Sequence, residues 1–139
     1  MVDRNVLASK VAAVRDSVAR IRAVLPASLE VFRGDRTARE VVILNLFVAV
    51  QECLSLATHW LSDAGWEVPQ SYREVFRVLS DHGVIEPELA ARLASGAGLR
   101  NLVAHQYGVL DWDRIHEMAS TRLEDPLTFC AVLSQRASE

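Results

Sequence analysis

The sequence predicts an all-α fold, an up-and-down bundle of four long helices with one short additional helix, over a single domain spanning residues 1–139. Three observations carry that reading. Apolar residues recur at three- and four-residue spacings along most of the chain, no window alternates strictly enough for a strand, and proline and glycine fall between the periodic stretches. Half of the 139 residues are hydrophobic and 24% are charged, which excludes intrinsic disorder. A chain of this size buries about two-thirds of its surface, enough for a core without staples.

The first helix carries Leu7, Val11, Val14, Val18, Ile21 and Leu25 at alternating steps of four and three, a seam suited to shallow helix packing. Asp3 is its expected N-cap and Pro26 its stop. Ala27 to Arg33 reads as a connection, with Gly34 as punctuation. The second helix is expected from Asp35 to Ala64. It is apolar nearly all round between Val41 and Ala57, which makes it the central element, and Gly65 and Pro69 end it. A shorter helix follows over about Ser71 to His82, capped by Ser71 and stopped by Gly83. Pro87 beside Glu86 and Glu88 opens a fourth long helix, expected to reach Tyr107 with Gly108 after it. Gly96 and Gly98 lie inside it at a cost of about 1 kcal/mol each relative to alanine, so close helix packing is expected there. Asp111 caps a fifth helix, and Asp125-Pro126 marks a kink or a restart before the final apolar run.

The net charge of −3 excludes a partner held by bulk positive charge. Cys53 and Cys130 are too few for a disulfide scaffold and share no metal spacing, so both are expected as buried free thiols of a reducing compartment. No targeting segment follows Met1, and the apolar run Val41 to Val50 is too short to cross a bilayer. These features predict a cytoplasmic protein without a membrane partner. Gly96-Ala97-Gly98 lacks the third glycine of a dinucleotide fingerprint and the Gly-Lys-Ser/Thr of a phosphate loop. His59, His82, His105 and His116 show no i, i+4 pair, so no metal and no cofactor are expected.

One stretch concentrates chemistry. Arg100, Asn101, His105 and Tyr107 fall within eight positions of the fourth helix. At roughly 100° per residue, Arg100 and Tyr107 stand about 20° apart, and all four fit within an arc of roughly 160° that includes Ala97 and Ala104. Leu99, Leu102 and Val103 then form the core face. His105 near a helix C-terminus is expected to be favoured in its protonated form, and an imidazole titrating near neutrality can take and return a proton. Arg100 is suited to hold a phosphate or a developing phosphorane. Together they suit metal-free cleavage of RNA by attack of the 2′-hydroxyl on the adjacent phosphorus. Spacing alone leaves open a structural role, with Arg100 paired to an acid and His105 a satisfied imidazole.

The pattern Arg-Asn-x-x-x-His-x-Tyr-Gly at positions 100–108 resembles the HEPN superfamily, and more narrowly its HepT-like toxin branch. The resemblance extends in order through the heptad-like first helix, Asn45-Leu46, Pro69 to Phe76, His82 to Ile85, and Glu88 to Gly108. It implies an endoribonuclease, the toxin of a type VII-like pair whose antitoxin is a minimal nucleotidyltransferase. It implies Arg100 and His105 as the metal-independent catalytic pair, Asn101 in support, and Tyr107 as the tyrosine the antitoxin modifies with AMP. It also implies a homodimer whose two motif helices meet at a cleft. The substrate is then RNA rather than DNA, and because the chain is acidic its site must be a local arginine-lined cleft, with Arg92 and Arg114 as further lining residues. The alternative reading is a non-catalytic helical subunit that binds and regulates a nucleotidyltransferase. Asp125-Pro126 departs from the continuous final helix the family suggests.

Overall fold

Local capping chemistry sets most helix boundaries in the computed structural model, which describes residues 2–105 and 110–139, with side chains described for 2–99 and 110–139. Seven helices occur among the described residues: α1 (Arg4–Val24), α2 (Leu29–Gly34), α3 (Arg36–Asp63), α4 (Tyr72–Asp81), α5 (Pro87–His105), α6 (Trp112–Thr121) and α7 (Glu124–Ala137). No strand is present among those residues.

The Asp3 carboxylate accepts from the N–H groups of Asn5 and Val6 at 2.7 and 3.2 Å, Asp35 from Ala38 at 3.0 Å, and Asp111 from Asp113 and Arg114. Each short carboxylate satisfies donors that the first turn leaves without a helical partner. Ser71 occupies the cap position of α4, but its side chain makes no capping bond. Gly65 and Gly83 both adopt φ +74°. After each, the chain closes the same pair of bonds: Trp66 N–H to Leu61 O and Gly65 N–H to Ser62 O, then Val84 N–H to Leu79 O and Gly83 N–H to Ser80 O. That is the double bond pattern of a left-handed glycine stop.

The segment expected as a connection contains a helix, α2. The Ser28 hydroxyl accepts from Val31 N–H, and one turn later Phe32 is fully buried. Six residues are too short for a 3.6-residue period to register, and so the periodicity missed it. The Asp125-Pro126 step is a restart. Arg122 and Leu123 separate α6 from α7, and Pro126 stands in the first turn of α7, where its missing N–H breaks no helical bond.

Helix α3 is the axis of the fold, packed against each of the other six helices. By length and hydropathy it is apolar enough to cross a membrane, but half of its most apolar window is buried inside this bundle. The α1 seam seats on it as expected, with Leu7, Val11, Val14, Val18 and Ile21 buried. Helix α4 pairs with α5, and Phe76 meets Phe129 of α7 edge to face at 5.6 Å.

Candidate functional site

Helix α5 carries the motif to its end. Positions 100, 101 and 105 lie on its described backbone; their side chains, and Tyr107 with residues 106–109, lie outside the described residues. The register of α5 is therefore what places the motif.

Leu89, Leu93 and Ala97 follow one another at four-residue steps and are all buried, with Ala90 beside them. Position 100 is three residues beyond Ala97 and seven beyond Leu93, so it continues this core stripe. Position 101 lies one turn beyond Ala97, and position 105 one turn further. The sequence places Ala97 among the site residues, on the face opposite the core. It is 2% exposed, while Leu99, roughly 120° around the helix from Leu93, is 4% exposed. Helix α5 is thus covered on more than one side at residues 97–99. Positions 100 and 101 thus stand where the period of the helix calls for apolar residues, and position 105 lies at the edge of that stripe. The Gly96-Ala97-Gly98 stretch offers almost no hydrophobic signal, so the sequence placed the core face on the more apolar Leu99, Leu102 and Val103 alone.

Close packing at Gly96 and Gly98 is not found. A Cβ at either would meet nothing within 4 Å among the described residues. Gly96 instead lines a cavity of about 210 Å³ between α3, α5, α6 and the start of α7. Leu46, Val50 and Met118 supply apolar wall, and Arg92, Arg114 and Arg122 supply cations. Two of these, Arg92 and Arg114, are the arginines expected beside the motif, and both reach the same cavity. They differ in state. Arg92 Nε donates to Asp125 Oδ1 at 2.9 Å, and that carboxylate is only 16% exposed. Arg114 and Arg122 are exposed and have no ion-pair partner among the described residues. Arg122 and Glu117 are not singled out by the sequence, and Asp125 reads there only as part of a helix break. The spacing Arg114, Met118, Arg122 at steps of four on one helix face was the signal that could have found Arg122.

Both cysteines are buried free thiols, as expected, and they contact each other between α3 and α7. Hydrogen bonding to Cys130 and burial push the Cys53 thiol well up, so it remains protonated. Two other histidines have structural partners. His116 Nε2 lies 2.8 Å from Pro26 O, and His82 stacks on Trp66 at 3.8 Å. The start of α6, which follows residues 106–109, is anchored: Trp112 packs on Phe32, and Arg33 Nε donates to Asp113 at 2.7 Å. That guanidinium holds the Asp113 carboxyl below its ordinary range.

The ribonuclease HepT-like family profile matches residues 14–133. An mRNA nuclease HepT from Shewanella oneidensis is 30% identical over 129 residues, covering 93% of this chain and 96% of that protein. Among solved structures, the tri-AMPylated HEPN toxin of Shewanella oneidensis in complex with an MNT antitoxin superposes with a TM-score of 0.87 at 28% identity, over 96% of this chain and 99% of that one. A toxin–antitoxin structure with AMP-PNP gives 0.88 at 28% identity, over 95% and 99%. A cytosolic protein of unknown function from Bacillus subtilis shares the fold alone, at 0.84 and 12% identity, over 97% and 90%.

Proposed function

This chain belongs to the ribonuclease HepT-like family, and we propose that residues 1–139 act as one domain, the endoribonuclease toxin of a toxin–antitoxin pair whose antitoxin is a nucleotidyltransferase. The observation that carries the reading is the register of α5. A core stripe of Leu89, Leu93 and Ala97 runs into arginine and asparagine at 100 and 101, with histidine one turn on. Buried-register polar residues cost stability unless they are partnered or used. The likeness to a HepT nuclease over almost the whole chain supports use.

In this reading Arg100 holds the scissile phosphate and stabilises the charge that builds on it as the RNA 2′-hydroxyl attacks. His105 moves the proton. Asn101 positions the strand, and Arg92 and Arg114 hold flanking phosphate, loosely and with strong salt dependence. No metal enters this scheme. The chain works as a homodimer in the cytoplasm, which brings two Arg100–His105 pairs to one RNA strand and provides both an acid and a base. Leu44, 60% exposed on α3, is apolar surface available to such a contact. AMP on the Tyr107 hydroxyl adds negative charge and bulk beside the cations and excludes RNA.

The test is cleavage of labelled total RNA in excess EDTA by protein whose Tyr107 is shown by mass to be unmodified, with His105→Ala alongside. Discrete products ending in 2′,3′-cyclic phosphate, absent for the variant, are expected. No cleavage by the unmodified protein overturns the reading in favour of a regulatory subunit.

A further inference from the structure

The cavity beneath Gly96 has a composition that the proposed chemistry at Arg100 and His105 does not require. Its volume, about 210 Å³, falls short of the roughly 300–1,000 Å³ of pockets for drug-sized ligands. It suits one small planar group. Its wall of Leu46, Val50 and Met118 is apolar, and a thioether packs well on an aromatic face. Its mouth carries exposed Arg114 and Arg122, cations for a phosphate just outside. Glu117, also on the lining and without an ion-pair partner among the described residues, presents an acceptor for an amino group. Glycine at 96 keeps the space open, since a Cβ there would project into nothing.

We propose that this cavity is a base-specificity pocket. It takes one unpaired nucleobase bearing an exocyclic amino group, from a nucleotide flanking the scissile phosphate, with that nucleotide's phosphate on Arg114 and Arg122. The proposal rests on the ribonuclease reading for its biological meaning, but the pocket itself is testable without cleavage. Gly96 stands one turn before position 100 on the same helix, so an occupant of the cavity lies next to the motif. Apolar walls around a base with a few polar edges favour splayed-out, single-stranded RNA over duplex.

Met118 is the sole methionine after Met1, so its methyl group is a clean spectroscopic probe of the cavity. The experiment titrates methyl-labelled protein with each of the four nucleoside 5′-monophosphates. AMP, CMP and GMP are expected to shift the Met118 methyl saturably, and UMP, which lacks the amino group, to bind about fivefold more weakly, the worth of one hydrogen bond. Glu117→Ala, which removes the acceptor, should erase that difference. Gly96→Leu fills the cavity and should abolish the shift. Gly98→Leu adds the same bulk two residues away, outside the cavity lining, and should leave the shift intact. Arg114→Ala with Arg122→Ala should reduce AMP binding to that of adenosine, and this holds the proposal to account if Gly96→Leu does not fold.

The proposal is overturned if no mononucleotide shifts Met118 saturably, or if Gly96→Leu binds as the parent does. Mononucleotide binding without RNA cleavage keeps the pocket and removes the ribonuclease reading. RNA cleavage with the same base preference in Gly96→Leu removes the pocket and keeps the ribonuclease.

Discussion

Helices α3 and α5 are both rich in apolar residues, but they treat polar residues in opposite ways. In α3 the one buried polar side chain, Asn45, donates its amide to Val41 O at 2.8 Å, one turn back on its own helix. The polar group is neutralised locally and the core closes over it. In α5 the core stripe thins to Ala97 between two glycines, a cavity opens beside Gly96, and the next positions of the stripe are arginine and asparagine. One helix is built for packing. The other gives up packing beside Gly96, one turn before the motif. Stability and chemistry should therefore be separable by mutation.

The widest separation is expected from two substitutions. His105→Ala should lower RNA cleavage by about 10²–10⁴-fold and leave the melting temperature within a few degrees of the parent. Leu56→Ala, at a fully buried position of α3, should do the reverse, costing about 2–5 kcal/mol in denaturant unfolding while the folded fraction still cleaves. If His105→Ala melts much earlier than the parent, the histidine is a core residue and the contrast between the two helices fails.

A smaller contrast lies among the glycines. Gly98→Ala should stabilise the protein by about 0.5–1 kcal/mol, since α5 is helical there and the added Cβ meets open space. Gly65→Ala and Gly83→Ala should destabilise it by about 1 kcal/mol each, because φ +74° disfavours a side chain. Chemical denaturation of the three variants checks the signs. Asp111→Ala should cost about 1 kcal/mol by removing the α6 cap that follows residues 106–109.

The smallest effect is electrostatic. Asp113 has its carboxyl held below the ordinary range by Arg33. Its folded value is lower than its unfolded one, so its contribution is present above the unfolded value and disappears as pH falls through the folded one. Asp113→Asn should flatten the acid limb of the stability profile slightly, because the pair is exposed and screened. Thermal melts across the acidic range, with and without added salt, would detect it.

Much of this was legible from residues alone. Asp3, Asp35 and Asp111 announce helix starts because a carboxylate reaches only the next two or three N–H groups. Gly65 and Gly83 announce helix ends because the left-handed conformation is their own backbone property. The pattern from Arg100 to Tyr107 is legible in the sequence, and positions 100, 101 and 105 of it lie on α5. Helix α2 escaped notice because its one buried anchor, Phe32, offers no period. Gly96 and Gly98 are ambiguous in sequence, because a missing side chain signals close packing and open space equally well. Arg92 was legible as a cation near the motif, but its bond to Asp125 joins residues 33 positions apart.

The sequence by itself determined the helical class, most helix ends and the location of the motif, since each depends on interactions within a turn or two of chain. Only the tertiary structure decided which face of α5 meets the core, that Gly96 opens onto a cavity, and which arginines around it are already paired. Those outcomes depend on α3, α6 and α7 arriving from distant parts of the chain, and no local period encodes where such partners stop short of contact.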